Sequence, residues 1–158
     1  MRHFEATLAD AEATERAGRG LAHALSPGML VTLSGDLGAG KTTFARGVLR
    51  GLGWTGAVKS PTYALVEHYP FSNLYLYHFD FYRIEDAREW DDAGLADAFR
   101  DDSVCLVEWP ERVAVRLPEA DVAIALAADD RGGRALRASA STDAGERCVI
   151  ALGEAVRS

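Results

Sequence analysis

The segment Gly35-Asp36-Leu37-Gly38-Ala39-Gly40-Lys41-Thr42 (GDLGAGKT) decides how the rest of the chain is read. It fits the pattern Gly-x-x-x-x-Gly-Lys-Thr in full. Glycines let successive backbone N–H groups turn inward around phosphate oxygens, and the N-terminus of a following helix adds partial positive charge. Asp36, Leu37, Gly38, Ala39 and Gly40 would form that cradle for the α- and β-phosphates. Lys41 would reach the β- and γ-oxygens, and the Thr42 hydroxyl would ligate Mg²⁺. Thr43 would donate to the α-phosphate or simply stand on the helix surface. The pattern carries weight only between a strand and a helix. Met29–Leu33 is a short apolar run of strand type, and a helix is expected from Lys41 to Leu52, ending at Gly53. This is a P-loop.

A P-loop usually shares its Mg²⁺ with a carboxylate that closes an apolar strand. Val104-Cys105-Leu106-Val107 followed by Glu108 supplies that shape, with Glu where Asp is commoner. Asn73 to Tyr82 alternates as a strand, with Leu74, Leu76, His78, Asp80 and Tyr82 on one face and Tyr75, Tyr77, Phe79 and Phe81 on the other. Two polar residues flanked by aromatics depart from a plain core strand. Asp80 would orient the attacking water or hold the Mg²⁺ shell. His78 reads equally as packed residue or functional group, and Arg83 as a partner of Glu85 or Asp86 in preference to a phosphate-facing group. In Lys59-Ser60-Pro61-Thr62-Tyr63, the proline pushes Ser60 to extended geometry and presents Thr62 from a loop. Thr62 would then sense nucleotide state or simply cap a rigid turn.

Outside these motifs, Leu8–Leu25 reads as a helix with Leu8, Ala11, Thr14, Ala17, Leu21 and Leu25 on one stripe. Asp86–Phe99 reads as an acidic helix. Val122–Leu126 and Leu136–Ala140 flank Asp129-Asp130-Arg131-Gly132-Gly133 as a hairpin, and Cys148–Leu152 reads as a further strand. The expected fold is α/β: a P-loop NTPase-like three-layer sandwich with a mainly parallel central sheet and antiparallel C-terminal strands, one domain over residues 1–158.

Charge narrows the partners. The 158 residues carry a net charge of −7, which argues against the chain holding nucleic acid by itself. Of 17 Lys+Arg, only Lys41 and Lys59 are lysines, and both fall in or beside the motifs. Where arginine is the default, a lysine marks a position that wants a compact charge. Cys105 and Cys148 each lie in apolar runs without metal-ligand spacing and read as core thiols. No apolar run approaches the roughly 18–20 residues of a membrane span, and the N-terminus has no apolar signal core. A cytoplasmic chain without a membrane partner is expected.

GDLGAGKTTFARG, KSPTYALVE, YHFDFYR and LVEWPER, in this order and spacing, resemble the TsaE (YjeE) family of bacterial ATPases. The resemblance runs from about residue 30 to 112. It implies a small P-loop fold that binds ATP and Mg²⁺ and works in making N6-threonylcarbamoyladenosine in tRNA. It also implies association with TsaD and its paralogue TsaB, which carry out the transfer, so that tRNA is met only through that complex. On this resemblance Asp36 to Thr42 hold phosphate, Thr42 and Glu108 hold Mg²⁺, and Thr62 acts as a switch residue. Lys41, Asp80 and Glu108 form the catalytic set. Thr14 would contact the base and Arg134 a phosphate or ribose. Trp109, in the EWP match, is assigned no chemistry.

Other function classes fare worse. A P-loop small-molecule kinase needs an arginine-rich lid and a substrate pocket, and Asp86–Phe99 is mainly acidic. A GTPase wants an Asn/Thr-Lys-x-Asp segment, and neither lysine sits in one. A nucleotide-binding scaffold without turnover would carry the same groups and stays open.

Overall fold

Apolar side chains in the central strands alternate between two faces, and the sheet they build is covered on both. The computed structural model describes residues 2–157. Met1 and Ser158, which the expectation of one domain over 1–158 includes, lie outside the described residues. The strands are β1 (Arg2–Leu8), β2 (Leu30–Ser34), β3 (Val66–Pro70), β4 (Tyr75–Asp80), β5 (Ser103–Glu108), β6 (Val122–Ala128) and β7 (Arg134–Ala140). The α-helices are α1 (Ala11–Ala22), α2 (Lys41–Gly51), α3 (Arg88–Asp92) and α4 (Asp143–Arg157). The sheet order is β1-β7-β6-β2-β5-β4-β3. β2 pairs in parallel with β5 and β6, and β4 in parallel with β5, while the β1–β7, β6–β7 and β3–β4 pairs are antiparallel. The parallel centre and antiparallel C-terminal hairpin match the expected α/β class.

Val31 and Leu33 of β2, with Val104 and Leu106 of β5, face a core shared with Leu21 of α1, Phe44 and Val48 of α2 and Leu152 of α4. Leu30, Phe79, Cys105 and Val107 face the other way, onto Trp90 of α3 and Val113. Period-two alternation thus divides one sheet between two helical layers. α1 and α2 approach unusually closely: a Cβ on Gly18 would stand 2.2 Å from the Phe44 carbonyl, and one on Gly47 would stand 2.1 Å from that of Glu15. That contact seats α1 against the start of α2, beside the P-loop.

Three expectations need correction. Leu8, expected to open the first helix, instead ends an edge strand, β1 (Arg2–Leu8). Asp10 caps α1 by accepting from the Ala13 N–H at 2.8 Å, so the helix begins three residues past Leu8. Cys148–Leu152 lies inside α4 rather than in a strand: Cys148, Val149 and Leu152 are buried at helical spacing, which a short apolar run does not reveal. The acidic 86–99 segment is broken by Gly94 in left-handed geometry (φ 66°) into α3 and a 3-10 turn over Leu95–Ala98. β3, a short edge strand closed by Pro70, was not anticipated. Cys105 and Cys148 are buried free thiols as expected, with burial pushing each pKa up to about 12.

Candidate functional site

The loop after β2 turns back under the end of the sheet. Gly35 has φ 147°, and a Cβ there would meet the Leu126 carbonyl at 2.3 Å, so the turn admits only glycine. Gly40 (φ 105°) begins α2 without a side-chain cap, which leaves the first-turn N–H groups of that helix for an anion. The Lys41 ammonium donates to the carbonyls of Gly35 and Asp36, the latter at 3.0 Å. It also stands 4.3 Å from the centroid of the Trp109 ring, a cation–π contact.

Two carboxylates close the site from below. Asp80 and Glu108 end β4 and β5 and stand opposite each other in the parallel register. Ligands gather at such carboxyl ends of parallel strands. Asp80 Oδ1 accepts from the Tyr82 N–H at 2.9 Å, and Oδ2 from the Thr62 hydroxyl at 3.3 Å. Ser60 in turn bonds Thr62 at 2.7 Å. Glu108 Oε2 lies 2.6 Å from His78 Nε2. Lys41, Asp80 and Glu108 are 5 %, 6 % and 2 % exposed. Burial pushes the Lys41 ammonium below its ordinary value, and Glu108, Asp80, Glu111 and Asp36 work against that shift.

These groups share a cavity of about 270 Å³, lined by Leu37 to Thr43, Thr62, Asp80, Glu108, Trp109 and Arg134. Of the residues anticipated from sequence, Thr14 and Asp36 are not in its lining. Asp36 takes part through its carbonyl on Lys41. Thr14 is buried in α1 with its methyl 3.6 Å from where a Gly40 Cβ would stand, and its hydroxyl donates to the Asp10 carbonyl at 3.3 Å. Arg134, at the start of β7, donates to the Gly38 carbonyl at 3.0 Å and to that of Gly133 at 2.8 Å. Arg83 does not pair with Glu85 or Asp86. Its guanidinium lies over the Tyr63 ring and donates to the Tyr63 hydroxyl at 3.2 Å, while Asp86 pairs with Arg88. Trp109, to which the sequence reading assigned no chemistry, also lines the cavity. Its place directly after Glu108 was the available signal.

Among the described residues no group of three or more His, Cys, Asp or Glu could hold a metal ion. Mg²⁺ does not require one, because it takes one or two carboxylates and completes its shell with water and substrate phosphates. The Thr42 hydroxyl and Glu108 line the same cavity, and the His78 bond engages only one oxygen of Glu108. The donor set fits Mg²⁺.

The family model "Threonylcarbamoyl adenosine biosynthesis protein TsaE" matches residues 8–136. The chain belongs to the TsaE family. Its members act in tRNA threonylcarbamoyladenosine biosynthesis. The protein of that name from Haemophilus influenzae is 46% identical over 124 residues, 78% of each chain. Its Bacillus subtilis counterpart is 47% identical over 106 residues, 66% of each. The crystal structure of Bacillus subtilis YdiB superposes with a TM-score of 0.82 at 31% identity, covering 97% of this chain and 95% of that one. The likeness extends beyond the central motifs to both ends of the sheet. No helix among the described residues is long and apolar enough to cross a membrane.

Proposed function

We propose that the chain is an ATPase that binds ATP with Mg²⁺ and supports the TsaD–TsaB complex in forming N6-threonylcarbamoyladenosine in tRNA. The observation that carries this reading is the gathering of the P-loop, Lys41, Asp80 and Glu108 around one cavity. The backbone of Asp36 to Gly40 and the start of α2 would hold the phosphates, with Thr43 at the α-phosphate. Lys41 would exchange its bonds to the Gly35 and Asp36 carbonyls for the β- and γ-oxygens. The Thr42 hydroxyl and Glu108 would hold Mg²⁺, which when bound neutralises charge building on the phosphates.

Asp80 is set up as the group that orients water. The Tyr82 N–H fixes one of its oxygens, and the other faces Thr62. It would accept the proton of the water that attacks the γ-phosphorus as the bond to the ADP oxygen breaks, giving ADP and phosphate. Thr62, joined to Asp80 by that bond, is the candidate switch. Thr14 packs beside Gly40 of the phosphate cradle, and Arg134 steadies Gly38. A kinase reading has less support, since the cavity lining holds a single arginine and the 86–99 segment is acidic.

With a net charge of −7, tRNA would be met only through the partner complex, in the cytoplasm. ATP turnover of the isolated chain should be low and rise when TsaD, TsaB and tRNA are added. Equal turnover with and without them would sink the partner-dependent reading.

A further inference from the structure

His78 is an expensive choice for its position. It stands in the middle of β4, fully buried, on the face that also carries Leu76 and Asp80. A branched aliphatic residue would pack there without polar demands. Its Nδ1 has no hydrogen-bond partner among the described residues, and leaving a buried polar atom unpaired is costly. Its single polar contact runs from Nε2 to Glu108 Oε2 at 2.6 Å. A carboxylate accepts, so the ring hydrogen belongs on Nε2 and the bare lone pair on Nδ1.

The register explains the reach. His78 stands opposite Leu106, one same-face step below the Asp80–Glu108 pair, so it meets Glu108 as a diagonal neighbour. Glutamate has one more rotatable bond than the aspartate commoner at this place, and it lies beside a second carboxylate. Left alone, its head group would have several orientations to lose on binding.

We propose that His78 is a positioning residue that locks the Glu108 carboxylate through Oε2, so that Oε1 is presented in one direction to the nucleotide-bound Mg²⁺. The inference rests on the nucleotide and metal reading above and supplies what that reading lacks, a reason for the glutamate to hold still. Losing a group that orients a metal ligand typically costs about 10–100-fold in metal affinity.

The test is calorimetric titration of the full chain with ADP, without Mg²⁺ and at stepped Mg²⁺, for wild type, His78→Leu and His78→Gln. Leucine removes the donor, whereas the glutamine amide nitrogen replaces Nε2. Mg²⁺-free ADP affinity should stay within about twofold throughout, while Mg²⁺ affinity falls ~10–100-fold in His78→Leu and largely recovers in His78→Gln. Undiminished Mg²⁺ affinity in His78→Leu, or the same loss in both variants, overturns the inference. Nitrogen NMR of the labelled wild-type chain gives a reading that needs no variant to fold. The Nε2–H tautomer is expected, and an Nδ1–H tautomer overturns the proposal. Wild-type ADP binding that ignores Mg²⁺ overturns the metal reading, and the positioning role with it. That failure shows in wild type alone, so the two are told apart.

Discussion

The floor and the rim of the cavity are built on opposite principles. Lys41, Asp80 and Glu108 make the floor, buried at strand ends or at the first turn of a helix, each held by specific hydrogen bonds. The rim carries Leu37 at 66% exposed and Tyr63 at 83%, with Tyr63 held through Arg83. Buried, satisfied polar groups are rigid because each alternative position would leave a charge unpaired in low dielectric. Exposed loop groups lose little on moving, since water replaces their partners. On the proposed reading, the floor decides whether nucleotide is bound and cleaved, and the rim adjusts how tightly the loops close over it.

That division breaks first, if it breaks at all, at Lys41. Lys41→Ala removes the only ammonium in the floor and should weaken ATP binding by ~10²-fold or more, measured by calorimetry, since charge-assisted bonds to phosphate are among the strong ones. Near-normal affinity would mean that the P-loop amides alone hold the nucleotide. Asp80→Asn keeps the bond from the Tyr82 N–H but not the proton acceptor. Nucleotide affinity should hold while turnover with the partner complex falls ~10²–10³-fold, the usual scale for one well-placed electrostatic group. Normal hydrolysis by Asp80→Asn would remove Asp80 from the chemistry and leave it a tether for Thr62.

The floor was largely legible in the sequence, and the rim and edges were not. Local pattern carries strongly where a motif is short and its chemistry demands particular residue types, as in GDLGAGKT and the apolar run into Glu108. It fails where tertiary context decides. Cys148, Val149 and Leu152 look alike as strand or helix until β7 gives them a surface to pack on. β1 and β3 are edge strands whose half-exposed residues leave a weak alternation. Leu65 (φ 69°) and Trp109 (φ 58°) are the two non-glycine residues with left-handed backbone among those described; Trp109 lines the cavity, and the Leu65 carbonyl accepts from the Asp80 N–H. Neither residue type announces that geometry, because only surrounding structure holds a bulky side chain there. For Trp109 the result is a ring over the Lys41 ammonium, which sequence order alone did not suggest. His78 was half legible: its polarity stood out in an aromatic strand, but its partner lies 30 residues away.

Arg134 sharpens the boundary between the two regions. It reaches from the hairpin to the Gly38 carbonyl, so it belongs to the rim yet touches the cradle. Arg134→Ala should cost ~3–10-fold in ATP affinity, the scale of one partly exposed hydrogen bond from a charged donor, with the turnover of bound ATP little changed. A loss as large as that from Lys41→Ala would move Arg134 into the floor.

The smallest effect separates the regions without any ligand. Burial of Lys41 pushes its pKa below the ordinary 10.5. The unfolded chain keeps the ordinary value, so between the lowered folded pKa and 10.5 the unfolded state binds more protons than the folded one. Stability therefore rises with pH across that window. Below it, both states are protonated and the folded chain bears the full cost of a buried ammonium. As pH climbs through the folded pKa, that cost is relieved. Lys41→Met has no such group, so the stability of wild type relative to Lys41→Met, from denaturant midpoints, should increase as pH approaches 10.5. Comparing the two chains cancels the tyrosine and cysteine titrations they share. A flat difference for Lys41 would show that Asp80 and Glu108 offset the cost of burying its charge.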